Sequence, residues 1–566
     1  MGTRTCEIRE KFNQRLVPIF EDLGQRKFID ELGVEEKLWR FYKSCERSIN
    51  ATGSEGAYLK LVPPAKNLNW PQFAYSSREW PSEKFDFMTT LGNLRNYALN
   101  DVFFNVHVVR NYYRTTRDSV TIDAPKLDDV FPIPSENSLK ELLIRQDFSV
   151  LRATYLASAI CRLDKEIREL PQEIQDFPMI LTVREMEDEE TGGLRWSRFV
   201  KVYLGKDIDR DLKLQVFNID YFKSLGPLLE KYDSEVIATY IMVRFVHFMT
   251  NLGYYPTGDN SRDCINVVAQ YRSEYKGYSG NWTKLLKRVE ENHFQLNSTQ
   301  ITALQQKILA MEFNLDSMPT TVSHRSFVND FYRDLELTSQ EDYPVAQLKV
   351  LKSFTRKESK FTPLGSGSFP IDSIERYYAS TTIMDITNIL YIDSAFLQEP
   401  FFVQNSHDVF KMSFLGVNIA WYFINGILPN GIHSDSEGNI YELFDNFDEN
   451  EHYKDALECL NKSQPEYLHW SIKYISTVQL AYDTYFDSDS IFDQTQPNFT
   501  SIPLKQLFIQ NSAKYILGRY EANFEPLEEK YIKVIYSNTK AFADAFQCAQ
   551  TSDGMNPTVK CKIFES

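Results

Sequence analysis

The sequence predicts a mainly α-helical protein with a minor β component. Apolar residues recur every three or four positions over long segments, which is the spacing of a helix that buries one face. Strand-like runs are few and short. Aromatic residues make up 14% of the 566 residues, and a chain of that length can bury them in a large interior.

The elements are placed by this spacing. Strand-like runs occur at 101–109, 119–122 and 388–392. The segment 413–428 is apolar, but it is too short to span a bilayer and contains Asn418 and Asn425, so we expect a buried helix there. In chain order, the predicted helices are 8–23, 35–48, 137–168, 233–253, 301–313, 413–428, 467–486, 503–517 and 527–546.

The charge and hydropathy of the chain exclude two classes of function. The net charge of −16 argues against nucleic-acid binding, which requires clustered Lys and Arg against phosphates. No apolar run reaches the 18 residues needed to cross a bilayer, so we expect no membrane-spanning segment in this chain.

The helix at 413–428 carries the most informative pattern. It contains Leu415, Gly416, Ile419 and Gly426 in a run Phe-Leu-Gly-Val-Asn-Ile-Ala-Trp-Tyr-Phe-Ile-Asn-Gly. This run resembles the zinc-binding helix of the neprilysin / endothelin-converting-enzyme family of zinc metallopeptidases, Gly-x-Gly-x-x-Ile-Gly-His-Glu-x-x-His-x-Phe-Asp. The apolar frame is similar, while the residues that perform chemistry differ.

Further segments are similar to the same family, from about residue 41 to residue 564. The C-terminal segment 541–564 resembles the family's Ala-Phe-Ser-Asp-x-Phe-x-Cys and Cys-x-x-Trp ending, and 41–45 resembles its Leu-Tyr-x-Ser-Cys. The segment 374–378 is similar to Val-Asn-Ala-Tyr-Tyr, the strand that holds the substrate backbone in the family. In that register Glu375 and Arg376 occupy the substrate-binding positions in degenerate form.

The resemblance implies that every metal ligand and the catalytic base are missing. Trp421 and Asn425 stand at the two zinc histidines, and Tyr422 stands at the catalytic glutamate. The family's third ligand lies in Gly-Glu-Asn-Ile-Ala-Asp, where Trp470 replaces the ligand Glu and Tyr474 replaces the Asp that orients a histidine. Zinc requires such lone-pair donors, so neither zinc nor another cofactor is expected.

The resemblance also implies an architecture. We expect two mainly helical lobes around a central cavity: a degenerate peptidase-like lobe formed by 1–34 and 318–566, and a second lobe, 35–317, inserted between them.

The resemblance to the family further implies a disulfide between Cys45 and Cys264, and another between Cys459 and Cys561. Cys548 is expected to pair with an N-terminal cysteine, for which Cys6 is the candidate, whereas Cys161 has no expected partner. The alternative is that all seven cysteines are reduced cytosolic thiols.

The cellular location stays open between two expectations. The start of the sequence does not resemble a signal peptide, so the chain is cytoplasmic if Met1 is its true start. Otherwise it is extracellular or at the cell surface through a leader or anchor that this chain lacks. The paired cysteines favour the secretory route, as do Asn-x-Ser/Thr acceptor sites at Asn50, Asn281, Asn297, Asn461 and Asn498.

Three functions follow as alternatives. The first is an inactive peptidase-like protein that binds or sequesters peptides, or partners an active relative, without cleavage. The second is a structural extracellular protein with no ligand. The third is a metallopeptidase that is active through unrecognised residues.

Overall fold

A computed structural model describes residues 14, 16–25, 33–48, 54–73, 80–127, 133–172, 177–191, 193–251, 260–269, 275–278, 289, 291, 294–317, 329–358, 381–384, 388–392, 402–461, 468–516, 525–550 and 554–561. The predicted fold class is confirmed, because most described residues lie in helices and the strands are short. No helix in these ranges is long and apolar enough to cross a membrane.

Helices before residue 318 account for most of the N-terminal half. In chain order they are α1 (16–25), α2 (Val34–Ser48), α3 (Ser54–Leu61), α4 (Phe87–Arg95), α5 (Glu136–Arg145), α6 (Val150–Arg168), α7 (Trp196–Leu204), α8 (Ile219–Leu229), α9 (Ser234–Asn251), α10 (Asn260–Ala269) and α11 (Ser298–Ala310).

The later helices are α12 (Tyr343–Glu358), α13 (Val417–Gly426), α14 (Glu451–Asn461), α15 (Leu468–Tyr485), α16 (Leu504–Ile516), α17 (Glu525–Asn538) and α18 (Lys540–Phe546). A short helix, Asp408–Lys411, and a π-helical turn, Met412–Gly416, lead directly into α13.

Two four-stranded mixed sheets accompany the helices. The first has the order β1-β2-β4-β3, formed by Asn105–Asn111, Arg114–Asp123, Lys213–Val216 and Met179–Thr182. The second has the order β5-β6-β8-β7, formed by Tyr275–Tyr278, Glu312–Ser317, Ile389–Ile392 and Thr381–Met384. In each sheet one parallel pair, β2 with β4 or β6 with β8, joins strands that are distant in sequence.

Several predicted boundaries differ from the structure for local reasons. The predicted helix 137–168 is two helices, because Asp147 has a positive φ of 67° and the Ser149 side chain caps the start of α6. The predicted helix 527–546 is also interrupted, at Thr539. The predicted helix 301–313 ends at Ala310, and strand β6 begins at Glu312.

The buried apolar side chains form two large cores. The first surrounds Trp70, Trp196 and Tyr221, and the second surrounds Ile424 and Tyr485. The segments that form each core differ from the segments predicted for each lobe. Phe20 and the buried residues of 331–354 pack in the first core, and those of 289–311 pack in the second.

Hydrogen bonds explain why 329–358 lies with the first core. Lys37 Nζ, on α2, donates to the carbonyl oxygen of Tyr332 at 2.6 Å. Tyr58 OH, on α3, donates to Gln347 Oε1 at 2.6 Å. These contacts link positions almost 300 residues apart, so helical periodicity could not reveal which core α12 would join.

The two cores meet at the tip of the β1–β2 hairpin. The backbone N–H of Ile440 donates to the carbonyl oxygen of Tyr112 at 2.8 Å. Phe177 packs edge-on against His433, with 5.6 Å between the ring centroids. A backbone hydrogen bond and a ring contact therefore connect the first core to the loop that follows α13.

Candidate functional site: the facing helices α13 and α15

Helix α13 is buried on nearly all sides. Nine of its ten residues are buried, the exception being Ile419. Two glycines permit the tight packing at its end: a Cβ on Gly426 would lie 2.5 Å from Met311 Cε, and one on Gly431 would lie 2.7 Å from the Gly426 Cα. The backbone contact at Gly431 requires glycine there for the chain to turn back beneath α13, whereas the flexible end of Met311 could move to admit a Cβ at position 426.

Helix α15 is the central helix of the second core. Every residue from Ser471 to Tyr482 is buried, although the segment includes Lys473 and Gln479. Gln479 Oε1 accepts a hydrogen bond from the backbone N–H of Ala541 at 3.0 Å, which ties α15 to the start of α18. The buried amide of Gln479 is therefore hydrogen-bonded to another element, which offsets the cost of removing it from water.

The five positions predicted to be degenerate lie together where α13 faces α15. The ring of Trp421 is stacked on that of Trp470, with centroids 5.7 Å apart and an interplanar angle of 26°. Its centroid lies 4.9 Å from that of Tyr422 and 6.4 Å from that of Tyr474. Such pairs contribute roughly 0.5–1.5 kcal/mol each beyond the area that they bury. Asn425 lies one turn after Trp421 and is 8% exposed.

The rings differ in their exposure. Tyr474 is 1% exposed and Trp421 is 9% exposed, whereas Trp470 is 42% exposed. Tyr474 also makes an edge-on contact with Tyr531 of α17 at 5.9 Å. The former ligand positions on α13 thus lie inside the second core, while Trp470 covers them and presents part of its surface to solvent.

A lysine that the sequence did not single out lies among these side chains. Lys473 is 6% exposed, and its Nζ donates to Asn425 Oδ1 at 2.6 Å. The same Nζ lies 5.8 Å from the ring centroids of both Trp421 and Trp470. A hydrogen bond to a charged group contributes about 1.5–3 kcal/mol, and a desolvated cation–π contact about 2 kcal/mol.

A signal for this lysine was present in the sequence. Lys473 stands at the Ala of the family's Gly-Glu-Asn-Ile-Ala-Asp, three residues after Trp470. It is the first charged Lys, Arg, Asp or Glu side chain of α15, and Asp483 is the second. A single lysine in an apolar helix with no carboxylate one turn away indicates a partner on another element.

These side chains do not form a zinc site. An indole N–H and a lysine ammonium are donors without a lone pair to offer, and a phenol or amide oxygen is a poor substitute for imidazole. Within the described residues, no group of three or more His, Cys, Asp or Glu side chains is placed to hold a metal ion. His469, adjacent to Trp470, instead shares a hydrogen bond with Tyr453 OH, with its Nδ1 2.9 Å away.

Burial perturbs the tyrosines of the second core. It is the main cause that raises the pKa of Tyr482 well above its usual value, with smaller contributions from Asp544 and Asp483. Burial likewise raises the pKa of Tyr536, whose hydroxyl lies 2.9 Å from Ser512 Oγ. Both phenols therefore stay neutral at physiological pH.

Both disulfides implied by the resemblance are confirmed. Cys45 is bonded to Cys264, with 5.7 Å between their Cα atoms, and Cys459 is bonded to Cys561, with 5.6 Å between theirs. Cys161 is a free thiol, as expected. These two bridges fix α2 to α10 and α14 to the C-terminal segment.

The expected bridge of Cys548 to Cys6 is wrong, since Cys548 is a free thiol. Cys548 lies just after α18, where its backbone N–H donates to the Ala543 carbonyl oxygen at 3.3 Å. A disulfide requires Cα atoms within about 7 Å of each other, which is a tertiary condition that sequence position does not specify. Cys6 itself lies outside the described residues.

The remaining predicted sites are only partly described. Glu375, Arg376, Asn50 and Asn281 lie outside the described residues. The acceptor asparagines that the structure describes are all exposed: Asn297, Asn461 and Asn498. Asn297 also begins α11, where its side chain accepts a hydrogen bond from the backbone N–H of Gln300 at 3.0 Å.

Comparison with known proteins agrees with this architecture. The sequence model of peptidase family M13 matches residues 4–263. Human membrane metallo-endopeptidase-like 1 is 24% identical over 204 residues, which cover 31% of this chain and 26% of the human protein. The mouse protein of the same name is 21% identical over 637 aligned residues, which cover 94% of this chain and 80% of the mouse protein.

Two solved structures share the fold over nearly the whole chain. The zinc metalloprotease ZMP1 of Mycobacterium tuberculosis, in complex with an inhibitor, has a TM-score of 0.69 at 13% identity and covers 99% of this chain and 93% of its own. A structure described as the Haemonchus galactose containing glycoprotein complex has a TM-score of 0.66 at 14% identity, with coverages of 98% and 91%. At these identities the likeness concerns the fold alone.

The protein has the mainly helical fold of the neprilysin-like metallopeptidases. Its residues 4–263 resemble peptidase family M13 in sequence.

Proposed function

We propose that this protein is a catalytically inactive member of the family that binds or sequesters peptides without cleaving them. The observation that carries the proposal is the set of side chains where α13 faces α15. Indole, phenol and amide groups of Trp421, Tyr422, Asn425, Trp470 and Tyr474 stand at the positions of the family's ligands, base and orienting carboxylate.

Charge supports the same conclusion. The Lys473 ammonium lies 2.6 Å from Asn425 Oδ1, at one of the two positions that correspond to zinc histidines. A divalent cation brought to this place would be repelled by the ammonium at short range in a buried setting, where charges interact strongly. The side chains described where α13 faces α15 include neither a set of zinc ligands nor a carboxylate base, which are the groups by which a zinc peptidase activates water.

A second candidate function is that of a partner in an assembly with an active relative. It is favoured by the fold shared with the Haemonchus glycoprotein complex over 98% of this chain. We also propose that the protein follows the secretory route, which the two disulfides and the exposed Asn297, Asn461 and Asn498 support.

The direct test combines metal analysis with a cleavage assay on protein from a secretory host. After incubation with zinc and desalting, elemental analysis should find far less than one zinc per chain. A random peptide library should remain intact by mass spectrometry, while some peptides bind in an affinity measurement. One tightly held zinc per chain, or chelator-sensitive cleavage, would contradict the proposal.

Binding also separates the candidate functions. If no peptide binds and none is cleaved, the structural or partner role is favoured over sequestration. The secretory proposal has its own readout, because an N-glycosidase should reduce the mass of the protein. An unchanged mass together with reduced cysteines in peptide maps would contradict that route.

A variant that restores the family's ligands and base tests whether other parts of the catalytic machinery are also missing. Trp421→His, Tyr422→Glu, Asn425→His and Trp470→Glu together should restore some zinc affinity but little or no cleavage. Ligands alone rebuild neither the orienting carboxylate at Tyr474, a kind of partner whose loss costs about 10–100-fold, nor the degenerate substrate-binding positions Glu375 and Arg376. A circular dichroism spectrum like that of the parent must first show that the variant folds. Robust cleavage would show that the rest of the machinery is intact.

A further inference from the structure

The helix pair α13–α15 contains a bound cation, and it comes from the chain itself. The Lys473 side chain is almost wholly buried, and the contacts of its ammonium include three groups of these two helices. These are the Asn425 amide oxygen at 2.6 Å and the rings of Trp421 and Trp470, with centroids at 5.8 Å each. The amide and one ring come from α13, and the second ring comes from α15.

The chemistry of these groups selects a particular kind of cation. Aromatic faces attract weakly hydrated organic cations through their quadrupole, which is how aromatic cages recognise ammonium ligands. A single amide oxygen adds one hydrogen bond, and a primary ammonium has three donors to offer. Zinc instead requires several lone-pair ligands in tetrahedral geometry, which indole faces cannot provide.

We propose that the position that binds zinc in active relatives is here an organic-cation site, occupied by the Lys473 ammonium. This inference deepens the proposed function and rests on its premise that the zinc ligands at 421, 425 and 470 are lost. It adds that the site has been rebuilt around a different cation. Trp470, the exposed member of the stack, covers the ammonium from the solvent side.

Chemical rescue tests this proposal. Lys473→Ala removes three carbons and one nitrogen, a volume and charge that n-propylammonium reproduces. The variant should have a lower Tm than the parent, and millimolar n-propylammonium should raise that Tm by about 2 °C or more through mass action while leaving the parent unchanged. The neutral molecule 1-propanol, of similar size, should have no such effect, and neither should zinc chloride.

A matched control separates the charge from the volume. Lys473→Met fills the same space without a charge, so it leaves no room for the added amine and should not respond to it. Rescue by 1-propanol equal to rescue by n-propylammonium would reduce the site to an apolar cavity and overturn the proposal. Stabilisation of Lys473→Ala by zinc, or equal responses of all three proteins to the amine, would overturn it as well.

A second measurement covers the case in which Lys473→Ala does not fold. Trp470 is 42% exposed, so Trp470→Ala should fold. Reductive methylation followed by mass spectrometry should modify Lys473 slowly in the parent and several times faster in Trp470→Ala. Equal rates would overturn the role of Trp470 as a cover. Zinc binding or cleavage by the parent would contradict the proposed function instead, so the two failures can be distinguished.

Discussion

Replacing Trp421 by Ala tests whether its ring holds α13 against α15. The side chain is 9% exposed and contacts the rings of Tyr422, Trp470 and Tyr474 as well as the Lys473 ammonium. Deleting a core Trp costs about 3–5 kcal/mol, because transfer energy is lost and a cavity remains. We expect a loss of that size in the free energy of unfolding.

The assay is equilibrium urea denaturation followed by far-UV circular dichroism, with the disulfides intact. Amide hydrogen exchange of Val417–Gly426 then locates the loss, since those amides should exchange faster in the variant while those of the first core do not change. An unfolding midpoint equal to that of the parent would refute the packing role and make Trp421 a candidate ligand-binding residue.

Trp470→Ala is the matched control. This ring belongs to the same stack but is 42% exposed, so its removal leaves no closed cavity and should cost only about 1–2 kcal/mol. The double variant measures the coupling between the two rings, for which about 0.5–1.5 kcal/mol is expected. A coupling of zero would mean that the two rings do not stabilise each other.

Two further predictions concern other parts of the second core. Replacing Cys459 and Cys561 by Ser should lower the free energy of unfolding by about 4–5 kcal/mol in urea denaturation, since the bridge closes a loop with a sequence separation of 102; an unchanged midpoint would contradict this. A hydrogen bond from the backbone N–H of Asp493 and the nearby Lys411 lower the pKa of Asp408. The ionised form therefore stabilises the fold above the ordinary pKa of about 3.9, and this contribution disappears as the pH falls through the lower folded pKa. Asp408→Asn should be about 1 kcal/mol less stable than the parent at pH 7, and an equal gap below pH 3 would refute the assignment.

The sequence by itself determined the fold class, a family resemblance and many of the helices. Predicted segments 35–48, 233–253 and 467–486 agree closely with Val34–Ser48, Ser234–Asn251 and Leu468–Tyr485. The apolar spacing of a helix is encoded in its own segment of sequence. It can therefore be recognised without knowledge of the tertiary structure. The resemblance to the family supplied both disulfides and the positions of the missing ligands. The roles of Glu375 and Arg376 stay predictions.

The apolar periodicity of the sequence did not reveal helix boundaries that lie inside a continuous periodic segment. Ser149 caps a new helix inside a segment whose apolar periodicity continues through it. Near the C-terminus the helix is interrupted at Thr539 without a side-chain cap, since the Thr539 hydroxyl donates back to the Ile535 carbonyl oxygen. The strands of the second sheet were mostly missed, because their parallel partners lie far away in sequence. Pairing, more than residue type, decides whether such short runs become strands.

Only the tertiary structure decided which groups surround the Lys473 side chain. Lys473 is a solvent-seeking residue by type, and its isolation in an apolar helix indicates a partner on another element without saying which. Its partner Asn425 is 48 positions away, and the two meet because α13 and α15 pack face to face. The free energy of burying an ammonium depends on the groups that replace its water, and here they come from two helices. The absence of zinc ligands at 421, 425 and 470 could therefore be predicted from residue types and the family resemblance, whereas the burial of Lys473 between the two helices could not.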